Sequence, residues 1–243
     1  MIETDALVAV IGLAVAGVVK GATGLGYTSC ALPFLVFAVG LQPAMALVIV
    51  PAFATNIGLA VTAGHFIESI RRFFVLYLTM IPGIVLGVQA LIWVPQRAAT
   101  QLLGIVIVSY GMFALLRPGM TMPTAYEQPL QAPTGLLNGV LTGLTGAQVM
   151  PLFPYVLALH LDSARTVQVV NIAVLLSTIT LGGSLASTGL LTSDLFTLSV
   201  LGTIPALAGT WLGNSIRRRL PDARFRRYAL VTLMLLGSLM LLR

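Results

Sequence analysis

The sequence predicts an all-α polytopic membrane protein of two inverted repeats, each a re-entrant helical hairpin plus three transmembrane helices. Three observations predict it. First, 58% of the 243 residues are hydrophobic and only 8% charged, with a mean hydropathy of +1.00. A soluble domain carries about a quarter charged residues, and apolar runs here recur at about the twenty residues a helix needs to cross hydrocarbon. Second, the glycine-rich stretch Lys20-Gly21-Ala22-Thr23-Gly24-Leu25-Gly26 interrupts an apolar run and has a weaker echo in Thr142-Gly143-Leu144-Thr145-Gly146-Ala147-Gln148. Third, basic residues fall on one side when the two interrupted segments turn back within the membrane.

In chain order, residues 6–20 and Tyr27–Val39 are apolar pieces of about fifteen residues each, or roughly 22 Å if helical. That is short for a full crossing and suits a hairpin. Full spans follow at 43–64, 73–93 and 98–116, with Glu68, Arg71 and Arg72 in the connection 66–72. Proline-rich residues 117–131 read as a cytoplasmic linker between a first membrane repeat, 1–116, and a second, 132–243. The second begins with a broken pair, 134–146 and 149–161, then has spans at 164–187, 194–214 and 225–242.

Landmarks support duplication. Pro33 and Pro154 differ by 121, Pro82 and Pro205 by 123, and Pro95 and Pro221 by 126. Gly111 and Gly237 also differ by 126. An offset that drifts slowly fits two copies with small loop insertions. With two re-entrant hairpins, each copy has three full spans, and an odd number inverts the second relative to the first.

Charge then sets orientation. Six of thirteen basic residues lie in one segment: Arg217, Arg218, Arg219, Arg224, Arg226 and Arg227. Placing 217–227 in the cytoplasm puts 65–72, 117–131 and 159–165 there too. Leaving Lys20 aside, ten basic residues are then inside and two, Arg97 and Arg243, outside. Eight full crossings give at best eight inside and four outside, so the positive-inside rule favours the inverted arrangement. The net charge of +6 is thus a topology signal, with anionic lipid as a second use, and implies no nucleic-acid partner. The acidic start Met1-Ile2-Glu3-Thr4-Asp5 predicts no cleavable leader.

A hairpin tip deep in the bilayer offers unpaired N–H groups at the start of its second helix, and with the helix dipole these attract an anion. The expected substrate-binding residues are Lys20, Gly21, Thr23, Gly24, Gly26, Tyr27 and Thr28 in copy one, with Thr142, Gly143, Thr145, Gly146 and Gln148 in copy two. Asn56 and Asn171 join them as polar groups within full spans. Lys20 is the sharpest of these, because a cation in an apolar stretch is costly unless it faces a cavity or partner. The opposing reading has Lys20 snorkelling to an interface, the asparagines holding helices together, and the glycines only letting helices pack closely.

Every Asp and Glu falls in or near a connection, Cys30 stands alone, and His65 reads as a loop residue beside Glu68. No nucleophile arrangement or metal spacing is recognisable, so neither an enzyme nor a cofactor is expected. An inside-negative potential pushes an anion outward by about 2.3 kcal/mol per charge per 100 mV. Export therefore needs no coupling, whereas import would draw on Na⁺ or H⁺. The oligomeric state is left open.

These residues resemble the sulfite exporter TauE/SafE family of membrane anion permeases. The resemblance rests on Lys20 through Tyr27 and on to Pro33, on Gly143-Leu144-Thr145-Gly146 through Met150-Pro151-Leu152-Phe153-Pro154-Tyr155, and on Leu161-Asp162 with Val167-Gln168-Val169-Val170-Asn171. It implies a multi-pass permease of the bacterial inner membrane for small organic or sulfur-containing anions such as sulfite, sulfonates or sulfoacetate. Thr23 and Leu25 interrupt a run that is three consecutive glycines in many members, and Gln148 stands where glycine is common. Those departures imply altered substrate size or selectivity. The competing expectation is a membrane scaffold or assembly protein without transport activity.

Overall fold

The computed structural model describes residues 2–23, 26–62, 64–116, 119, 121–217 and 222–242, and no strand occurs among them. Helices dominate because hydrocarbon offers no partner for backbone N–H and C=O groups, which must bond within the segment. Helix α1 (Ile2–Thr23) and α2 (Tyr27–Val39) form the first pair. Gly12 faces Phe34, so the two run antiparallel. Next come α3 (Leu41–Leu47) and α4 (Ile49–Thr62), short α5 (Phe66–Arg72), α6 (Phe74–Trp93) and α7 (Gln96–Leu116). The second half holds α8 (Glu127–Thr145), α9 (Leu152–Ala158), α10 (Ser163–Ser187), α11 (Ser193–Arg217) and α12 (Asp222–Leu241).

Five segments among the described residues are long and apolar enough to cross a membrane: Leu41–Gly58, Phe74–Trp93, Gln96–Leu116, Ser163–Ser187 and Ser193–Ile216. They match five of the six spans expected from the sequence; for the sixth, the apolar part of α12 is Arg227–Leu241. Two boundaries differ. Helix α8 starts at Glu127, inside the stretch that its prolines marked as linker. Pro129 falls in its first turn, where the missing N–H costs nothing. The return half of the second hairpin is helical only from Leu152 to Ala158; Pro151 stands just before its start and Pro154 in its first turn.

The halves are joined by interleaving, since each first helix packs mainly on a helix of the other half. Along α1, Gly17 faces Ala206 and Thr210 while Gly21 faces Thr210 and Asn214, so α1 and α11 run parallel. Along α8, Gly135 faces Leu76, Gly139 faces Met80 and Gly143 faces Ile84 and Gly87, so α6 and α8 are parallel too. Helix α7 runs antiparallel to α12, with Gly104 near Gly237 and Gly111 near Met234. Glycines four residues apart let these backbones touch, which matters where no hydrophobic effect drives helices together.

Polar contacts collect on one face. Arg72 donates to both Glu127 oxygens at 2.6 and 2.8 Å, and Gln131 Nε2 donates to Arg72 O at 2.9 Å. Arg165 donates to Glu68 at 2.9 Å and also pairs with Asp162. Tyr155 OH donates to Glu127 O at 2.7 Å, and Met122 N to Ala158 O at 3.0 Å. The chain therefore leaves α9 at the face where it entered α8, and the connections around 65–72, 122–131 and 159–165 share that face. Arg117 and residues 218–221 of the arginine-rich segment lie outside the described residues, as do the side chains of 217–226.

Two tests follow. Gly87→Ala would place a Cβ 2.8 Å from Gly143 Cα, against backbone that cannot yield, whereas nothing lies within 4 Å of a Cβ on Gly183. Thermal denaturation in detergent should show Gly87→Ala losing about 1–3 kcal/mol and Gly183→Ala losing none; equal stabilities would contradict the close packing. The second test is acid. The Arg165 side-chain hydrogen bond, then that of His65, holds the Glu68 carboxyl below its ordinary value, and the Arg165 backbone N–H does the same for Asp162. Depressed carboxyls contribute stability above the unfolded value of about 4, and that contribution is lost as pH falls through the lower folded value. Melting temperature should therefore hold between about pH 5 and 7 and drop below about pH 4, with a smaller drop in Arg165→Gln. Identical profiles for the two proteins would contradict it.

Candidate functional site

The first hairpin tip is built by Gly26, whose φ of 86° is one that L side chains rarely adopt. It caps α2, and Cys30 N closes the first helical bond on its carbonyl at 3.0 Å. A helix start leaves N–H groups without intrahelical partners, here those of Tyr27, Thr28 and Ser29. Among the described residues nothing lies within 4 Å of the place a Gly26 Cβ would occupy, so the backbone is open toward them.

That open space is a small cavity, about 20 Å³ as swept by the centre of a water-sized sphere, room for a water or two, with an open mouth. Its walls are Lys20 from α1, Gly26 to Ser29 from the first tip and Asn56 from α4, with Gln148, Val149 and Phe153 from the second tip and Val170 and Val174 from α10. Val174 lies midway along α10. Both interrupted segments therefore meet at one space deep within the helices. Among these lining residues Lys20 alone is charged, and no carboxylate faces it.

Lys20 is 5% exposed, and its Nζ donates to Asn56 Oδ1 at 2.5 Å. Asn56 is held in turn. Its Nδ2 donates to Ala52 O at 2.6 Å, and its backbone carbonyl accepts from Asn171 Nδ2 at 3.0 Å. Asn171 thus supports Asn56 from behind and does not line the cavity. Lys20 does not snorkel to a surface; it is a buried cation with a neutral partner.

The structure divides the expected residues. Lys20, Gly26, Tyr27, Thr28, Asn56 and Gln148 line the cavity. Gly21 and Gly143 do not: each faces a neighbouring helix backbone, Gly143 with its Cβ position 2.7 Å from Gly87 Cα. Thr142 and Thr145 spend their hydroxyls inside the second tip, on Ala147 O at 3.1 Å and Leu141 O at 2.6 Å. Gly146, with φ 75°, closes α8 and packs toward Met45 and Leu32. Gly24 lies outside the described residues, as does the side chain of Thr23 at the end of α1.

The tips are therefore unlike. The N–H groups of Gly146, Ala147 and Gln148 do not begin a helix, since α9 starts only at Leu152, whose N–H donates to Asn138 Oδ1 at 3.4 Å. Tip one offers a helix start and a cation; tip two offers one carboxamide and apolar wall. Val170 and Val174 were not among the expected residues. Their four-residue spacing puts them on one face of α10, but nothing in the sequence says that this face meets a cavity. Thr178, whose hydroxyl accepts from Gln148 Nε2 at 3.3 Å, was missed for the same reason.

A family model described as sulfite exporter TauE/SafE matches residues 8–240. Neither a curated protein nor a solved structure matches the chain. With its apolar helices and a match over nearly its whole length, the chain belongs to the sulfite exporter TauE/SafE family, multi-pass membrane transporters of sulfite and related anions rather than enzymes.

Proposed function

We propose that the protein is a secondary permease of the bacterial inner membrane that moves small organic or sulfur-containing anions, with sulfite, sulfonates and sulfoacetate as candidate substrates. The observation that carries this reading is Lys20: a buried ammonium, lining a cavity at the start of α2, with no carboxylate among the lining residues. A charged residue inside a bundle is costly by about 2.5–3.5 kcal/mol on insertion scales. An entering anion offsets that cost and adds to what Asn56 supplies. The first-turn N–H groups of α2 then share the negative charge.

The inverted arrangement of two repeats is supported by the helix directions. Under exchange of α1 with α8 and α6 with α11, the parallel contacts α1–α11 and α6–α8 replace one another, while α7 and α12 face each other antiparallel. A two-fold axis in the membrane plane has these properties, and on this reading the substrate site lies between the repeats. Export is favoured over import, because the inside-negative potential alone drives an anion outward. Import would require Na⁺ or H⁺.

The scaffold reading accounts for Gly21 and Gly143, which serve helix contacts. It gives no reason for a lysine in the cavity. Purified protein in liposomes separates the two. Wild type should release trapped labelled sulfite, and Lys20→Ala should slow release by roughly 30-fold or more while inserting normally. Lys20→Arg, which keeps the charge, should retain part of the activity. Wild-type liposomes no leakier than empty ones, or a fully active Lys20→Ala protein, would contradict the proposal.

A further inference from the structure

Within that reading, the orientation of one amide narrows the kind of anion. Gln148 is 3% exposed and forms part of the cavity wall. Its Nε2 donates to Thr178 Oγ1 at 3.3 Å. Thr178 in turn gives its one hydroxyl proton to Val174 O at 2.7 Å, so its oxygen can only accept from Gln148. Turning the carboxamide end for end would make the Thr178 hydroxyl turn its proton to the amide oxygen and give up its bond to Val174 O. The orientation that keeps both bonds is therefore favoured, and it leaves Gln148 Oε1 buried without a partner among the described residues. A bare buried acceptor is costly and calls for a donor.

Sequence register makes the contrast sharper. Lys20 and Thr142 differ by 122, and so do Gly26 and Gln148. Where the first tip presents open glycine backbone, the second presents an acceptor on a side chain. Lys20 and the first turn of α2 supply donors for a charged group. Gln148 Oε1 is matched by nothing among the described residues, and a simple alkyl anion would leave it unmatched.

We infer that the anion bound here carries a hydrogen-bond donor of its own, an O–H or N–H separate from the charge on its oxygens, and that Gln148 Oε1 accepts it. Hydroxy- and amino-substituted sulfonates or carboxylates have this chemistry, as does a singly protonated oxyanion. Val149, Phe153, Val170 and Val174 are left to pack on the carbon skeleton or to exclude water.

Ethanesulfonate and 2-hydroxyethanesulfonate differ by this one group, and their affinities for the purified full-length protein can be read by calorimetry or thermal shift. Wild type should prefer the hydroxylated anion by roughly tenfold or more, because a site built to bond a hydroxyl rejects the analogue that lacks it. Gln148→Met removes the acceptor, and Thr178→Val frees the amide to rotate; each should bring the ratio close to one. Either variant suffices if the other fails to fold. Equal wild-type affinities, or a preference that survives the substitution, would overturn this inference and leave the anion reading standing. No binding of either sulfonate or of sulfite would overturn both.

Discussion

The contact between the Lys20 ammonium and Asn56 Oδ1, 2.5 Å long and buried, is the constraint on which the site depends. A cation deep among apolar helices needs either a counter-charge or a set of neutral acceptors. This one has Asn56, held by Ala52 O and supported by Asn171, and no acidic side chain among the residues lining the cavity. The positive charge is thus stabilised enough to stay in place and not so fully neutralised that an anion would add nothing. On the proposed reading, a carboxylate in the position of Asn56 would satisfy the lysine and close the site to anions.

The fold holds that lysine by a device unrelated to charge. Helix α1 is fixed against α11 by glycines that bring backbones into contact, and α8 is fixed against α6 in the same manner. Each half thereby grips the first helix of the other, and the two tips are carried to a common space. On one face the ion pairs Arg72–Glu127 and Glu68–Arg165 also cross between the halves. The glycine contacts are rigid and insensitive to pH, whereas the Glu68–Arg165 pair is exposed and responsive to it. Positioning of the site and closure at that face therefore rest on different physics.

Much of this was legible in the sequence because hydrocarbon is a demanding solvent. It fixes span lengths, makes an isolated lysine conspicuous and leaves basic residues in the connections. The helices follow the apolar runs closely, and Lys20, Gly26, Tyr27, Thr28, Asn56 and Gln148 do meet at one cavity. The glycines were harder to read, since a chain reversal and a close helix crossing both select glycine. Gly26 serves the first purpose and Gly21 the second, although they stand five residues apart. The four-residue spacing of Gly17 with Gly21 and of Gly139 with Gly143 was the signal that marks the crossings. The roles of Thr178, Val170 and Val174 depend on how α10 is rotated against the second tip, and local sequence does not encode that rotation.

The most direct measurement of whether an anion occupies the cavity beside Lys20 is chemical protection of its wall. In a Cys30→Ser background, a cysteine at Ser29, which lines the cavity, can be titrated with a small negatively charged thiol reagent in proteoliposomes, with and without sulfite. The account predicts that sulfite slows modification in a concentration-dependent manner, and that Lys20→Ala abolishes this protection. A modification rate indifferent to sulfite, or protection that persists without the lysine, would contradict it.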